Sequence, residues 1–324
     1  MTRAIVRRLY QSVLVMFVVA TATFFLIHLA PGDPFTPSIE SANFSQEIVA
    51  QQRRNFGLDQ PAHIQYVRYL QQIATGNFGI SFSQHRPVLD VFYDVIPNTI
   101  VLAIAAILID FVTGMTVGVF QSTRKGSRVD SLLSAISLVL YSTPVFWFGL
   151  MLVLLFGVTL RWLPTAGAID PVVYHSLSLP GQLWDRIRHL ILPAATLGLI
   201  GAGGTARFQR SALLEVLAED FVRTARAKGL RERTVVTVHA LRNSLLSIIT
   251  LFGLSLPALL SGAVLVETVF SWPGMGRLIT DAVSSRDYPV ITGAAIVSAL
   301  LVVAGNLTAD ILYRFADPRT RTAQ

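Results

Sequence analysis

Six stretches of this sequence extend for about 20 residues with almost no charge, and they constrain the fold more than any other feature. A helix needs about 20 mostly apolar residues to cross the hydrocarbon core of a bilayer. Five of the stretches contain no Asp, Glu, Lys or Arg, and one contains a single acid, Asp110. The stretches are 9–32, 97–120, 131–160, 189–206, 243–266 and 288–309. They predict an all-α polytopic membrane protein with six transmembrane helices.

The composition supports this class and excludes several others. Charged residues make up 14% of the chain, against about 25% in soluble domains. The absence of cysteine excludes disulfide frameworks, Cys-ligated metal sites and cysteine nucleophiles. The first uncharged stretch is longer than the apolar part of a signal peptide, about 7 to 15 residues, so we expect a retained anchor.

The distribution of the 26 Lys and Arg residues predicts the orientation. Seventeen of them fall in the two tails and in the loops around 124–128 and 207–242, and nine fall in the alternate loops. Because cytoplasmic loops carry the excess of basic residues, both termini are expected inside. The net charge of +7 therefore belongs to topology and not to nucleic acid.

This orientation predicts four regions along the chain. Residues 1–32 form a cytoplasmic tail and the first anchor, and residues 33–94 form a long extracytoplasmic segment. Residues 95–310 form the core with five helices and the cytoplasmic loop 207–242, and residues 311–324 form a second cytoplasmic tail. In the outer segments we expect a helix from Pro61 to Gly76 and another around 278–283, whereas Pro- and Gly-rich residues 161–188 read as loop.

The chain lacks the motifs that a membrane enzyme or a primary pump needs. Neither of its two lysines, Lys125 and Lys228, stands in a phosphate-binding loop, and its six histidines are not at metal-ligand spacing. We therefore expect no catalytic residue, no metal site and no cofactor in this chain.

Asp110 is anomalous, because a charge at the centre of a bilayer costs about 2.5 to 3.5 kcal/mol on insertion scales. Asp110, Gly114 and Gly118 recur every fourth residue, so they share one helical face with a stripe of small residues. Asp110 is either a ligand in a transport pathway or a packing residue inside the bundle. Packing is favoured, because no second ionisable group lies at the same depth. A stand-alone channel or ion-coupled carrier would need such a group.

The 207–242 loop combines positive charge with helical periodicity. Leu213, Leu214 and Leu217 are followed by Phe221 and Val222, and Gly229 then interrupts the pattern. Two short basic helices of this kind either lie on anionic lipid or bind a soluble partner. Periodicity leaves both interpretations open.

The same loop resembles the cytoplasmic loop of permease subunits of bacterial ATP-binding-cassette importers, in the form used by the dipeptide and oligopeptide subfamily. The similar residues are 220–230, DFVRTARAKGL, and 239–243, HALRN. Further similar segments are PGDP at 31–34, ETVFSWPGMG at 267–276, RDYP at 286–289 and DPR at 317–319. The long first outer loop resembles the first of the two permeases in such transporters.

This resemblance implies the type I importer permease fold in a bacterial inner membrane. It implies a homologous second permease, two ATPase subunits that bind ATP and magnesium, and an extracytoplasmic substrate-binding protein. The implied substrates are short peptides, although relatives carry nickel complexes, glutathione, heme or sugars. The residues expected to couple the permease to the ATPases are Asp220, Arg223, Thr224, Ala225, Lys228, Gly229, His239, Leu241 and Arg242.

Overall fold

The computed structural model describes residues 2–29, 60–260 and 264–316. Within these ranges the regular structure is helical, apart from one bridge between Ile80 and Pro87. The helices are α1 (Thr2–Leu29), α2 (Ala62–Ala74), α3 (Val88–Thr123), α4 (Arg128–Ser142), α5 (Val145–Leu152), α6 (Leu179–Leu217), α7 (Asp220–Ala227), α8 (Leu241–Leu260), α9 (Val264–Val269), α10 (Met275–Ser284) and α11 (Tyr288–Ala316). A π-helical segment, Val153–Thr159, extends α5, and another, Val235–Ala240, leads into α8.

Three helices are long and apolar enough to span a bilayer: α3, α6 and the first part of α11. The pair formed by α4 and α5 passes the same test only as a bent span. A shorter apolar helix, Tyr10–Leu26, lies within α1, and α8 covers most of the predicted stretch 243–266. The predicted all-α membrane class is confirmed.

The prediction of one continuous helix over 131–160 is wrong. The chain bends by 106° between α4 and the helix that begins at Val145. Pro144 has no N–H to donate, and it disfavours helical geometry at the preceding residue. Thr143 is accordingly extended, with ψ of 130°. The break follows from a single proline inside an apolar run.

Two of the helices also begin earlier in the sequence than predicted. Helix α6 begins at Leu179, so residues 179–188 are helical and not loop, with Pro180 in the first turn where proline is tolerated. Helix α3 begins at Val88, inside the predicted outer segment 33–94. With 39 residues, α6 is about 58 Å long, nearly twice the thickness of the hydrocarbon core. Its last turns can therefore support the 207–242 loop.

One compact unit contains the described part of residues 1–97 together with residues 277–301. In it, α2 packs on α1 through rings, with the centroids of Phe24 and Tyr66 5.1 Å apart. The predicted helix after Pro61 is confirmed as α2. Asp287, just before α11, accepts hydrogen bonds from the hydroxyls of Ser81 (2.5 Å) and Ser83 (2.7 Å). The turn around residue 82 is thereby fixed to the start of α11.

The second unit contains residues 98–276 together with the described part of 302–324. The segment 267–276, one of those that resemble the permease family, forms a compact turn bonded to α3. Trp272 donates its indole N–H to the Asn98 carbonyl (3.1 Å), and Asn98 donates its amide to the Pro273 carbonyl (3.0 Å). The Thr99 hydroxyl donates to the buried Glu267 carboxylate (3.1 Å) and accepts from the Met275 N–H (2.8 Å).

Candidate functional site

The 207–242 loop is built on the end of α6 and not suspended between spans. Residues 207–217 continue α6, and a tight turn at Ala218 and Glu219 leads into α7. Helix α7 has Asp220 in its first turn and Arg226 in its last. These charges suit the positive N-terminal and negative C-terminal ends of a helix dipole. The local sequence thus stabilises a helix of only eight residues.

A small apolar core holds the loop together. It joins the end of α6, the inner face of α7 and the π-helical segment before α8. Its buried residues are Leu213, Val222, Ala225, Val235, Val236 and Ala240. The two segments that resemble the permease family, 220–230 and 239–243, therefore contribute to one core. This packing makes the loop a preformed structure.

Ala225 lies inside this core and is only 6% exposed. Ala225 is among the residues expected to couple the permease to the ATPases, but its burial leaves almost no surface for a partner to contact. Its small size instead allows α7 to approach the π-helical segment. Ala225 therefore shapes the loop from within.

The turn at Gly229 links α7 to the second half of the loop. Gly229 has a φ of +77° and no neighbour within 4 Å of where a side chain would begin. Its N–H donates to the Arg226 carbonyl (2.9 Å), which ends α7 in the way typical of a glycine C-cap. Glycine is thus required here by backbone conformation, while the space in front of it is open.

An ion pair closes the same turn. Arg226 donates to both carboxylate oxygens of Glu232, at 2.7 and 3.1 Å. The hydrogen bonds from Arg226 lower the pKa of the Glu232 carboxyl. Because the pair is exposed, it contributes modestly to stability, but its two-point geometry fixes the angle between the two halves of the loop.

The outward face of the loop, meaning the face that points away from the loop's own core, carries both apolar and charged groups. Phe221 and Leu230 are 42% and 40% exposed. Around them, Asp220, Arg223, Thr224, Lys228 and Gly229 are exposed. His239 and Leu241 are half-buried where the π-helical segment meets α8, and Arg242 is exposed. The predicted residues other than Ala225 thus keep some accessible surface.

A cavity of about 440 Å³ lies where the end of α3 meets the loop. Its apolar lining comes from Val119, Leu217 and Val236, and its charged lining comes from Arg226, Glu232 and Arg233.

Asp110 and the two glycines that share its face are packed against α6. Asp110 is buried, and a side chain added at Gly201 would collide with its carboxylate. Side chains added at Gly114 and Gly118 would collide with Thr205 and with the Ala206 carbonyl. The predicted face therefore points into a helix contact, as the packing interpretation expects.

Sequence reasoning missed a partly buried ion pair between Asp130 on α4 and Arg210 on α6. Arg210 Nε lies 2.8 Å from Asp130 Oδ1, and Nη2 lies 2.9 Å from Oδ2. The serine–x–x–acid spacing from Ser127 to Asp130 marks a helix start, and Ser127 does cap α4. Nothing in the sequence, however, indicates the partner 80 residues away.

Two family models match almost the whole chain. A model described as "binding-protein-dependent transport system inner membrane component" matches residues 112–322. A model for the N-terminal part of such membrane components matches residues 1–103. Together the two models include both the 207–242 loop and the segment 267–276.

Individual proteins agree with the family models. The di/tripeptide transport system permease protein DppB of Pseudomonas aeruginosa (strain UCBPP-PA14) is 43% identical, with 98% of each chain covered. The oligopeptide transport system permease protein AppB of Bacillus subtilis (strain 168) is 39% identical, over 98% of this chain and 99% of that protein.

A solved structure supports the fold. An inward-facing structure of the MetNI methionine ABC transporter matches with a TM-score of 0.54 at 17% identity, covering 71% of this chain and 97% of that one. At this identity the match concerns the fold alone, and it confirms the predicted importer permease fold. The chain therefore belongs to the family of inner membrane permease components of binding-protein-dependent transport systems.

Proposed function

We propose that this chain is the first of two different permease subunits in an ATP-binding-cassette importer for short peptides. The peptide assignment is supported by the relatives, which are named for di/tripeptide and oligopeptide transport. A sister permease would complete the translocation path. A substrate-binding protein would deliver the peptide from outside, and two ATPase subunits would bind ATP and magnesium inside.

The observation that carries this proposal is the outward face of the 207–242 loop. The loop satisfies its inner face with its own core, yet it leaves Phe221 and Leu230 exposed in a polar surrounding. A helix that lies on anionic lipid presents an apolar stripe beside Lys and Arg. This face also carries Asp220 and Glu232, and a surface with both signs of charge favours a protein partner.

The side of the membrane on which the loop lies follows from the distribution of basic residues. Positive charge concentrates in the tails and in the loops near 124–128 and 207–242, so we place these on the cytoplasmic side of a bacterial inner membrane. ATPase subunits docked there would push on a preformed loop. Because the loop continues α6, a push on it would tilt that span between inward-open and outward-open states.

A stand-alone carrier that uses Asp110 is not favoured. The Asp110 carboxylate faces Gly201 of the neighbouring helix α6, and the residue is buried within this chain. A substrate ligand would instead need to face an open path.

The test compares the same substitution at two glycines with the same geometry. Gly229 and Gly76 both follow a helix, have φ of +77° and +71°, and have no neighbour within 4 Å. A positive φ costs a non-glycine residue about 1–2 kcal/mol in either place, so both variants carry equal backbone strain. Only Gly229→Arg should reduce peptide uptake and peptide-stimulated ATP hydrolysis, because only it adds bulk to the docking face.

Copurification of the ATPases with each variant separates loss of docking from loss of transmitted motion. Equal uptake by wild type, Gly229→Arg and Gly76→Arg would contradict the docking assignment. Equal loss in both variants would mean that strain, and not docking, causes the defect.

A further inference from the structure

The partly buried ion pair of Asp130 and Arg210 has a geometry that fixes two helices in one register. The guanidinium of Arg210 meets both carboxylate oxygens, at 2.8 and 2.9 Å. Asp130 is 4% exposed, and the Arg210 side chain is 30% exposed. A planar two-point contact of this kind restricts both distance and angle, so α4 cannot slide along α6 without breaking it.

Hydrogen bonds extend from the pair to a third helix, α3, and the residue next to Arg210 bonds separately to α8. The Gly126 N–H donates to Asp130 Oδ2 (3.0 Å). The Ser134 hydroxyl reaches Asp130 Oδ1 at 3.5 Å and accepts from the Gln121 amide of α3 at 3.3 Å. Gln209, which precedes Arg210, donates to the Ser244 hydroxyl of α8 (3.0 Å). The polar network of Gln121, Asp130, Ser134 and Arg210 thus joins α3, α4 and α6, and the separate bond of Gln209 ties the same turn of α6 to α8.

The network lies at the base of the 207–242 loop. Arg210 stands about one turn before Leu213, and Leu213 is fully buried in the loop core. Two turns along α6 in the other direction, a side chain at Gly203 would collide with the Ser137 carbonyl of α4. Because Ser137 also lies two turns from Asp130, close packing and the ion pair enforce the same antiparallel register.

An ion pair with one buried partner loses hydration at that partner, so it adds little stability relative to apolar residues of the same size. Apolar side chains of similar volume could fill this site, but they would permit sliding and rotation between the helices. The directional pair is therefore better explained by a need for fixed geometry than by stability alone.

We propose that Asp130 and Arg210 are positioning residues that make α4 and the base of the 207–242 loop move as one body. A displacement that an ATPase imposes on the loop is then transmitted to α4, and through Ser134 and Gln121 to α3. This inference rests on the proposed function, since it requires the loop to be the point where force enters.

The test measures coupling in the assembled transporter in proteoliposomes, as peptide transported per ATP hydrolysed. Asp130→Asn and Arg210→Gln should each lower this ratio by about fivefold or more, the scale of a typical coupling energy, while ATP hydrolysis continues. The double variant should be no worse than either single variant, because both remove the same pair. Multiplied losses in the double variant, or an unchanged ratio in the single variants, would overturn the proposal.

The matched control is Asp94→Asn. Asp94 also forms an arginine ion pair, at 2.6 Å to Arg86, but its side chain is 61% exposed and lies in the first unit. The same chemical change there should leave the ratio unaltered. An equal drop in Asp94→Asn would attribute the effect to general loss of charge and would overturn the proposal.

A second experiment asks whether the link itself, and not the charges, is needed. The chain has no cysteine, so the double variant Asp130→Cys and Arg210→Cys offers one defined pair of thiols. We expect low coupling before treatment and recovery after a short bifunctional thiol reagent joins α4 to α6. A joined protein that hydrolyses ATP but stays uncoupled would overturn the inference.

The two levels of the proposal fail differently. If wild type copurifies with no ATPase and shows no ATP-driven uptake, the proposed function is wrong. If wild type is coupled and Asp130→Asn is equally coupled, only the positioning role is wrong.

Discussion

Addition of one methyl group at Gly118 should destabilise the protein, because α3 and α6 are in direct backbone contact there. An ideal Cβ at Gly118 would lie 2.6 Å from the Ala206 carbonyl oxygen and 2.7 Å from Gln209 Cβ. Nonbonded carbon atoms rest about 3.5–4.0 Å apart, so the helices would have to separate by about 1 Å. A backbone oxygen cannot rotate away, and overpacking of this kind costs about 1–3 kcal/mol.

Helix propensity acts in the opposite direction, since alanine is favoured over glycine by about 1 kcal/mol in a helix interior. The upper part of the overpacking range, reduced by the gain in helix propensity, gives the net effect. We therefore expect Gly118→Ala to lower the free energy of unfolding by roughly 1–2 kcal/mol. For a chain of 324 residues, in which the unfolding entropy is about 2.1 cal/mol/K per residue, that corresponds to a fall in Tm of about 1.5–3 °C. The assay is the fraction of purified protein that stays monodisperse in detergent after heating.

Gly204→Ala is the matched control. Like Gly118 in α3, Gly204 is a glycine inside a helix, in this case α6. Its nearest neighbours are ring atoms of Tyr141, at 3.2 and 3.4 Å, and the exposed Tyr141 side chain can shift. This variant should match wild type or melt slightly higher. If Gly118→Ala melts no lower than Gly204→Ala, the close contact between α3 and α6 is wrong.

Three further predictions test other parts of the molecule. Asp110→Asn replaces the carboxylate that faces Gly201 with an amide of the same shape, so peptide uptake should stay largely intact. Loss of uptake in a fully assembled complex would mean that Asp110 is a ligand. Arg68→Cys, in the segment predicted to lie outside, should react with an impermeant thiol reagent in spheroplasts. Arg231→Cys, on the 207–242 loop and also exposed, should react only after permeabilisation. The reverse pattern would mean that the predicted orientation is inverted. Because Arg226 lowers the pKa of Glu232 below 4.5, the stability that this pair adds is present above that pH and lost as the pH falls through the folded-state value. Protease sensitivity of the loop should therefore stay constant at neutral pH and rise only below about pH 4.5, and a rise already near neutral pH would contradict the pairing.

Features that depend on a short stretch of chain could be predicted from the sequence. The apolar spans, helix α2 and the turn at Gly229 each follow from local periodicity or from the conformation of one residue. The face shared by Asp110, Gly114 and Gly118 is likewise a property of a single helix. The break at Thr143 and Pro144 was also locally encoded, but the length of the uncharged run concealed it.

Features that depend on how separate helices align were decided only by the tertiary structure. The sequence identified the segment that contains Ala225, but it could not show whether that side chain faces a partner or the core of its own loop. The pairing of Asp130 with Arg210 depends on the register between α4 and α6, which the close contact of Gly203 with Ser137 helps to set. The attraction between opposite charges does not depend on how far apart two residues are in the sequence. Many carboxylates and arginines in this chain could therefore have paired. Packing of backbones at small residues selects one register, and that register determines which charges meet.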